Sequence, residues 1–472
     1  MVMTIQKKVN KNQMKIKVIL ALLAGSSFLV QAQESPLSFS LTAAQDYALE
    51  HNKTLQNSKD DLKLAHEQYV EARGAGLPKV DAKVDYMTNF NYEAEFSFGS
   101  ESSTPPDYDP TKFDAGDIEV LKLINGMFSS GGSTIVMKDQ ASANLTVSQL
   151  IFSGQYWVGL QMAKLAKSVR ETSLTLTELE VKEQVANSYY LILVTKELLQ
   201  VITENTQNLE ELYKHTNNMY NSGMAEQTDV DQIKVNLSLL ENSKREMERN
   251  LQLNYNMFRL VLGIDSNTEI QLTDPMNQLI SIAENTVLHK QDFDLNNNPN
   301  YKLINIQEEI GDKQVNLQKW AYGPTLVGYY SYTEKILTSG FDLTPKNAAG
   351  LTLSVPVFAG GIKQAQLSQK KIELDKIKRT KSLLQEQLQL QENQLSYELT
   401  SAYDNYMTQK ENVAVALRVY QSYQNKYRQG AVSSMELTQA NSNYLQAQSN
   451  YVSAIMKLLQ SKLAVDKLHN SI

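Results

Sequence analysis

The sequence predicts a mixed α/β membrane protein built as an internal tandem repeat. Long coiled-coil helices would form an α-barrel, and four strands per chain would join a transmembrane β-barrel shared by three chains. Three observations carry that expectation: one alternating phrase occurs twice, the helical stretches are too long for a compact domain, and the strand segments alternate apolar with small or polar residues.

The phrase is LTVSQLIFSGQ at 145–155 and LTLSVPVFAGG at 351–361, 206 residues on. Leu145, Thr146, Ser148, Phe152 and Gly154 recur as Leu351, Thr352, Ser354, Phe358 and Gly360. The likeness extends along the chain. Segment 52–86 aligns with 298–332 and sets Pro78 on Pro324, and Tyr220-Asn-Ser-Gly223 answers Tyr427-Arg-Gln-Gly430. Each half reads helix, strand, strand, long helix, glycine turn, helix. The first repeat is expected over 33–264, an inter-repeat linker over 265–297 and the second repeat over 298–472.

Five lysines from Lys7 to Lys17 precede an apolar run at 18–30, and Val30-Gln31-Ala32 ends in a small residue. That pattern is a secretory signal peptide over 1–32, since a run of that length is short for a membrane span. Its removal would take the formal charge from −7 to −12, a poor balance for binding nucleic acid. No later stretch approaches the roughly 20 apolar residues of a transmembrane helix, so any membrane crossing falls to strands.

A polar helix is expected over 42–74, then a strand over about 79–96 in which Val80, Ala82, Val84 and Tyr86 alternate with Asp81, Lys83 and Asp85. Asp, Ser, Gly and Pro make 97–141 an outer loop. A second strand covers about 142–152, and helices follow over about 156–221 and 226–262. The second repeat gives a helix at about 299–321, strands at about 324–336 and 347–358, and helices at about 361–427 and 433–468. Leu395, Leu399, Ala402, Tyr406, Val413, Leu417, Tyr420 and Tyr427 keep the spacing of a coiled-coil seam, as do Val230, Ile233, Leu237 and Leu240. An ordinary amphipathic bundle would show similar spacing. The helix over 156–221 would reach about 100 Å, which builds a rod or tube.

Such strands also fit a half-buried sheet in a water-soluble protein. Two features favour the barrel: the aromatic side chains near the strand ends suit an interfacial girdle, and a cyclic trimer would close twelve strands. Gly154, Pro356, Gly360 and Gly361 then mark the passage from strand to helix, and Pro78 and Pro324 the passage from helix to strand.

With no cysteine there is no disulfide, thiol nucleophile or cysteine metal site. The five histidines lack ligand spacing, the Gly-Gly pairs are not followed by Lys-Ser or Lys-Thr, and no serine sits in a nucleophile elbow. The sequence therefore predicts neither an enzyme nor a cofactor or metal site. A periplasmic coiled-coil adaptor or structural envelope protein is the alternative from another class.

The duplicated LSVPVFAGG-type junction, the GLP and YGP turns and the paired Tyr-x-x-Gly turns resemble the TolC family of bacterial outer-membrane efflux channels. The resemblance covers nearly all of the chain after residue 32. It implies a homotrimer in outer-membrane lipid with a long periplasmic extension, coupled to a periplasmic adaptor (membrane fusion) protein and an inner-membrane transporter. By the same resemblance Tyr220, Gly223, Tyr427 and Gly430 form adaptor-contacting tip turns. Family acids six and nine residues past the second turn glycine narrow the entrance. Here those positions are Glu436 and Gln439, and the first-repeat counterparts are Asp229 and Gln232. Glu436 is thus expected to favour cations, or simply to complement a helix N-terminus.

Overall fold

The computed structural model describes residues 37–88, 90, 92–96, 110–112, 114–128, 133–137, 139–289, 292–337 and 345–472; the expected signal peptide lies outside them. The first repeat contains β1 (Leu37–Phe39), α1 (Leu41–His51), α2 (Lys53–Gly74), β2 (Lys79–Met87), β3 (Tyr92–Phe96), α3 (Ala115–Phe128), β4 (Ser133–Met137), β5 (Gln140–Ser153), α4 (Gly154–Asn221) and α5 (Gln227–Leu262). Then come β6 (Ile270–Leu272), α6 (Met276–Leu288), α7 (Pro299–Trp320), β7 (Thr325–Leu337), β8 (Asn347–Ser354), α8 (Ile362–Arg428) and α9 (Ser434–His469). Among the described residues no helix is long and apolar enough to cross a membrane.

The chain divides into two units. One combines Asn57–Leu176 with Asp294–Gln389. Its main sheet is antiparallel in the order β2-β5-β7-β8. The register sets Val80 beside Val147 and Ala82 beside Leu145, Leu145 beside Tyr332, and Gly328 beside Leu351. Side chains alternate across a strand, so these residues share one apolar face. The opposite face brings Asp81 beside Thr146 and Lys83 beside Asn144, with Ser331 and Thr333 next in line. There Asn144 donates to the Thr333 hydroxyl at 3.2 Å and accepts from Thr146 at 2.7 Å. One sheet thus offers a face suited to lipid and a face suited to water.

Two expectations change in this unit. The strand expected over 79–96 is two strands, because β3 leaves the main sheet and pairs with β4. The stretch expected as an outer loop, 97–141, carries α3 and β4 and the start of β5. The two five-residue strands β3 and β4 are too short for their periodicity to stand out among Ser, Gly and Pro. In the second repeat the strand expected to 358 ends at Ser354.

The other unit holds the described residues up to Gln56, Thr177–Phe293 and Leu390–Ile472. Here β1 pairs in parallel with β6, Leu37 against Ile270 and Phe39 against Leu272. Buried Tyr189 locks the pair: its hydroxyl donates to the Phe39 carbonyl and accepts the Asp274 N–H, both at 3.1 Å. Burial pushes that phenol up to about 12. Residues 265–297, expected as a linker, contain a strand and a helix, β6 and α6, in the same order as β1 and α1 ahead of α2. The helix expected over 42–74 breaks at Asn52. Its side chain accepts the Leu55 N–H at 3.1 Å and donates to the Val261 carbonyl at 2.7 Å, which starts α2 on a fresh cap.

Candidate functional site

The two glycine turns close on the same backbone scheme. Gly223 (φ 74°) and Gly430 (φ 72°) take the left-handed conformation that only glycine adopts cheaply. Their N–H groups donate to Tyr220 and Tyr427 carbonyls at 2.9 Å. The next residues, Met224 and Ala431, reach back to Met219 at 2.8 Å and Lys426 at 2.9 Å. This satisfies the last carbonyls of α4 and α8 and turns the chain into α5 and α9.

Packing behind the turns is unequal. Leu209, Ile233 and Leu240 form one cluster, and Tyr420, Tyr427, Leu437 and Ala440 another. Tyr427 is 6% exposed and shares a 2.7 Å hydrogen bond with the buried Thr216 hydroxyl, while its repeat counterpart Tyr220 is 40% exposed. Burial pushes the Tyr427 phenol up. Of the two tyrosines expected to meet an adaptor, one is core and one is surface.

The four entrance candidates also separate. Ser433 caps α9: its hydroxyl accepts the Glu436 N–H at 3.3 Å, and its own N–H donates to the Glu436 carboxylate at 2.8 Å. That backbone donor, helped by the Ser433 hydroxyl, holds Glu436 below the usual carboxylate range. Asp229 accepts the Glu226 N–H at 3.2 Å, and its other oxygen accepts from the Ser434 hydroxyl. Gln439 donates to Asn443 at 2.9 Å and is exposed, as is Gln232. The structure thus brings Asp229 to the start of α9. Sequence reasoning missed Ser434 and Thr216, whose partners lie 205 and 211 residues away. The Ser433-x-x-Glu436 capping signature was visible in the sequence.

The strand–helix junctions use glycine for two reasons. Gly154 starts α4 directly after β5, and a Cβ there would lie 2.0 Å from the Trp320 ring. Gly360 (φ 56°) and Gly361 (φ 81°) sit in open space and serve the turn itself. Pro356 lies in the irregular stretch between Ser354, where β8 ends, and Ile362, where α8 starts. Pro78 and Pro324 stand just ahead of β2 and β7.

The family model described as "Outer membrane efflux protein" matches residues 45–263 and 294–471. Outer membrane protein TolC of Salmonella enteritidis is 22% identical over 366 residues, which are 74% of this chain and 63% of that protein's length. The outer membrane protein VceC of Vibrio cholerae superimposes with a TM-score of 0.68 at 15% identity, covering 91% of this chain and 96% of that one. The CmeC outer membrane channel of Campylobacter jejuni gives 0.69 at 14% identity, over 91% and 85%.

Proposed function

The chain belongs to the outer membrane efflux protein family, and on that premise we propose that it is the outer-membrane exit channel of a tripartite efflux or secretion system. Three copies close a twelve-stranded barrel whose helices continue as a periplasmic tube. A periplasmic adaptor and an inner-membrane transporter deliver the substrate, which then passes outward without chemistry at the channel. The observation that carries this reading is the β2-β5-β7-β8 sheet, with one apolar face, one polar face and two outer strands lacking a second partner among the described residues. Hydrocarbon tolerates no unpaired edge, so further copies must supply the missing ladders.

At the entrance we assign cation preference to Glu436 and a clamping role to Asp229, whose carboxylate is occupied by Glu226 and Ser434. Exposed Tyr220, Met224 and Met435 beside the turns suit an adaptable apolar contact with the adaptor. The test is the purified protein in detergent, its mass measured beside negative-stain images and bilayer conductance. A conducting threefold hollow particle supports the reading. A monomer soluble without detergent overturns it in favour of a coiled-coil adaptor.

A further inference from the structure

Strand order dictates helix order. Helices α2 and α7 feed β2 and β7, while β5 and β8 feed α4 and α8, so the order β2-β5-β7-β8 sets out α2-α4-α7-α8 beside the sheet. Contacts inside this unit agree. Tyr156 of α4 donates its hydroxyl to the Arg73 carbonyl of α2 at 3.0 Å. Lys381 of α8 pairs with Glu308 of α7 at 2.7 Å, and Gly311 of α7 leaves room for Leu374 and Ile377. The outer members are α2 and α8, and each turns one face away from its neighbour.

Those faces carry opposite charge. On α2, Asp60, Leu64, Glu67 and Glu71 are exposed at spacings of four, three and four, which is one helix face. On α8, Ile372, Lys376, Arg379 and Leu383 are exposed at the same spacings. The apolar members are large and uncovered, Leu64 at 58% and Ile372 at 59%. Asp60 pairs with Lys63 of its own helix at 2.8 Å, whereas no ion pair joins Lys376 or Arg379 among the described residues. From Lys363 to Lys381 this helix holds seven Lys or Arg against two acids, in a chain of net charge −7. The heights also agree. Leu64 lies ten residues from the strand end of α2, and Ile372 ten from that of α8, each about 15 Å along its helix.

We infer that the acidic face of α2 in one copy packs against the basic face of α8 in the next, with Leu64 on Ile372 and Asp60 opposite Lys376. The inference rests on the trimeric-channel reading and names its seam. The two helices run antiparallel there, and the open edges of β2 and β8 lead into them. Like faces repel, so α2 against α2 or α8 against α8 is disfavoured and only the head-to-tail contact that closes a ring is left.

The absence of cysteine makes the test clean. The full chain carrying Leu64→Cys with Ile372→Cys is oxidised in detergent and run on a non-reducing gel, with its native mass measured in parallel. Bands at two and three chain masses, missing from either single variant, are expected. A trimer by mass without those bands, or a cross-link confined to one chain, overturns the seam and leaves the channel reading standing. No trimer at all overturns both. Lys376→Glu should lower trimer recovery about threefold, and adding Asp60→Lys, the residue level with it in this register, should restore it. Failure of that rescue overturns the charge pairing.

Discussion

The Ser434 hydroxyl donates to the Asp229 carboxylate, tying the first turn of α9 to the first turn of α5. Asp229 stands six residues past Gly223 as Glu436 stands six past Gly430, yet the two acids do different work. Each accepts the N–H of its own helix's cap residue, but Asp229 alone also joins two helical hairpins through Ser434.

That tie should be measurable as a coupling. Asp229→Ala and Ser434→Ala, alone and together, should show an interaction of about 1.5–3 kcal/mol in thermal unfolding, the range for a hydrogen bond to a charged acceptor. Each single variant should also raise the resting single-channel conductance, because the hairpins then part more easily. Additive losses with an unchanged conductance would mean that the bond holds nothing together.

Glu436 carries the pH dependence of the entrance. Its folded-state pKa is depressed by the Ser433 N–H and hydroxyl. A depressed carboxylate contributes stability that is present above its unfolded value, near 4.3, and lost as pH falls through the lower folded value. Cation selectivity from reversal potentials should therefore hold at pH 5 and fade only below the ordinary glutamate range. Ser433→Ala should move that loss to higher pH, and Glu436→Gln should remove it. A selectivity that disappears in the histidine range would contradict the assignment to Glu436.

Gly154 and Gly360 occupy the same repeat position for unlike reasons. Gly154→Ala should destabilise by about 1–3 kcal/mol, because the added methyl would overlap the Trp320 ring, which must shift to admit it. Trp320→Ala in the same chain should make the added methyl nearly silent. Gly360→Ala should cost about 1–2 kcal/mol through its positive φ alone, and Gly360→Asn less. Thermal unfolding of the four variants separates a steric from a conformational glycine.

What the sequence disclosed divides along the same line. The apolar face from Val80 through Leu145 to Leu351 was legible because alternation is local and the phrase is written twice. The glycine turns were legible because Tyr-x-x-Gly recurs. Strands β1 and β6 were not, since three residues carry no period and their pairing spans the whole first repeat. Asn52 reads as one more polar residue in a polar helix until Val261, 209 residues away, takes its amide. The division of labour between Asp229 and Glu436 was hidden for that reason too.

Tyr427 and Tyr220 offer the sharpest contrast. Tyr427→Phe removes one partner of a fully buried bond and leaves the Thr216 hydroxyl, 0% exposed, without an acceptor or donor from the phenol. An unsatisfied buried hydroxyl costs about 1–3 kcal/mol. Thr216→Val alone should cost a similar amount by stranding the phenol, but Thr216→Val with Tyr427→Phe removes both polar groups and should recover most of the loss. Tyr220→Phe, at an exposed position, should stay within about 0.5 kcal/mol. Thermal unfolding in detergent measures all four. If the paired change is as damaging as the sum of its parts, the Thr216–Tyr427 bond does not organise the core behind the second turn. If it recovers, that core is set by one hydrogen bond at one of two repeat positions, which leaves Tyr220 available for the surface.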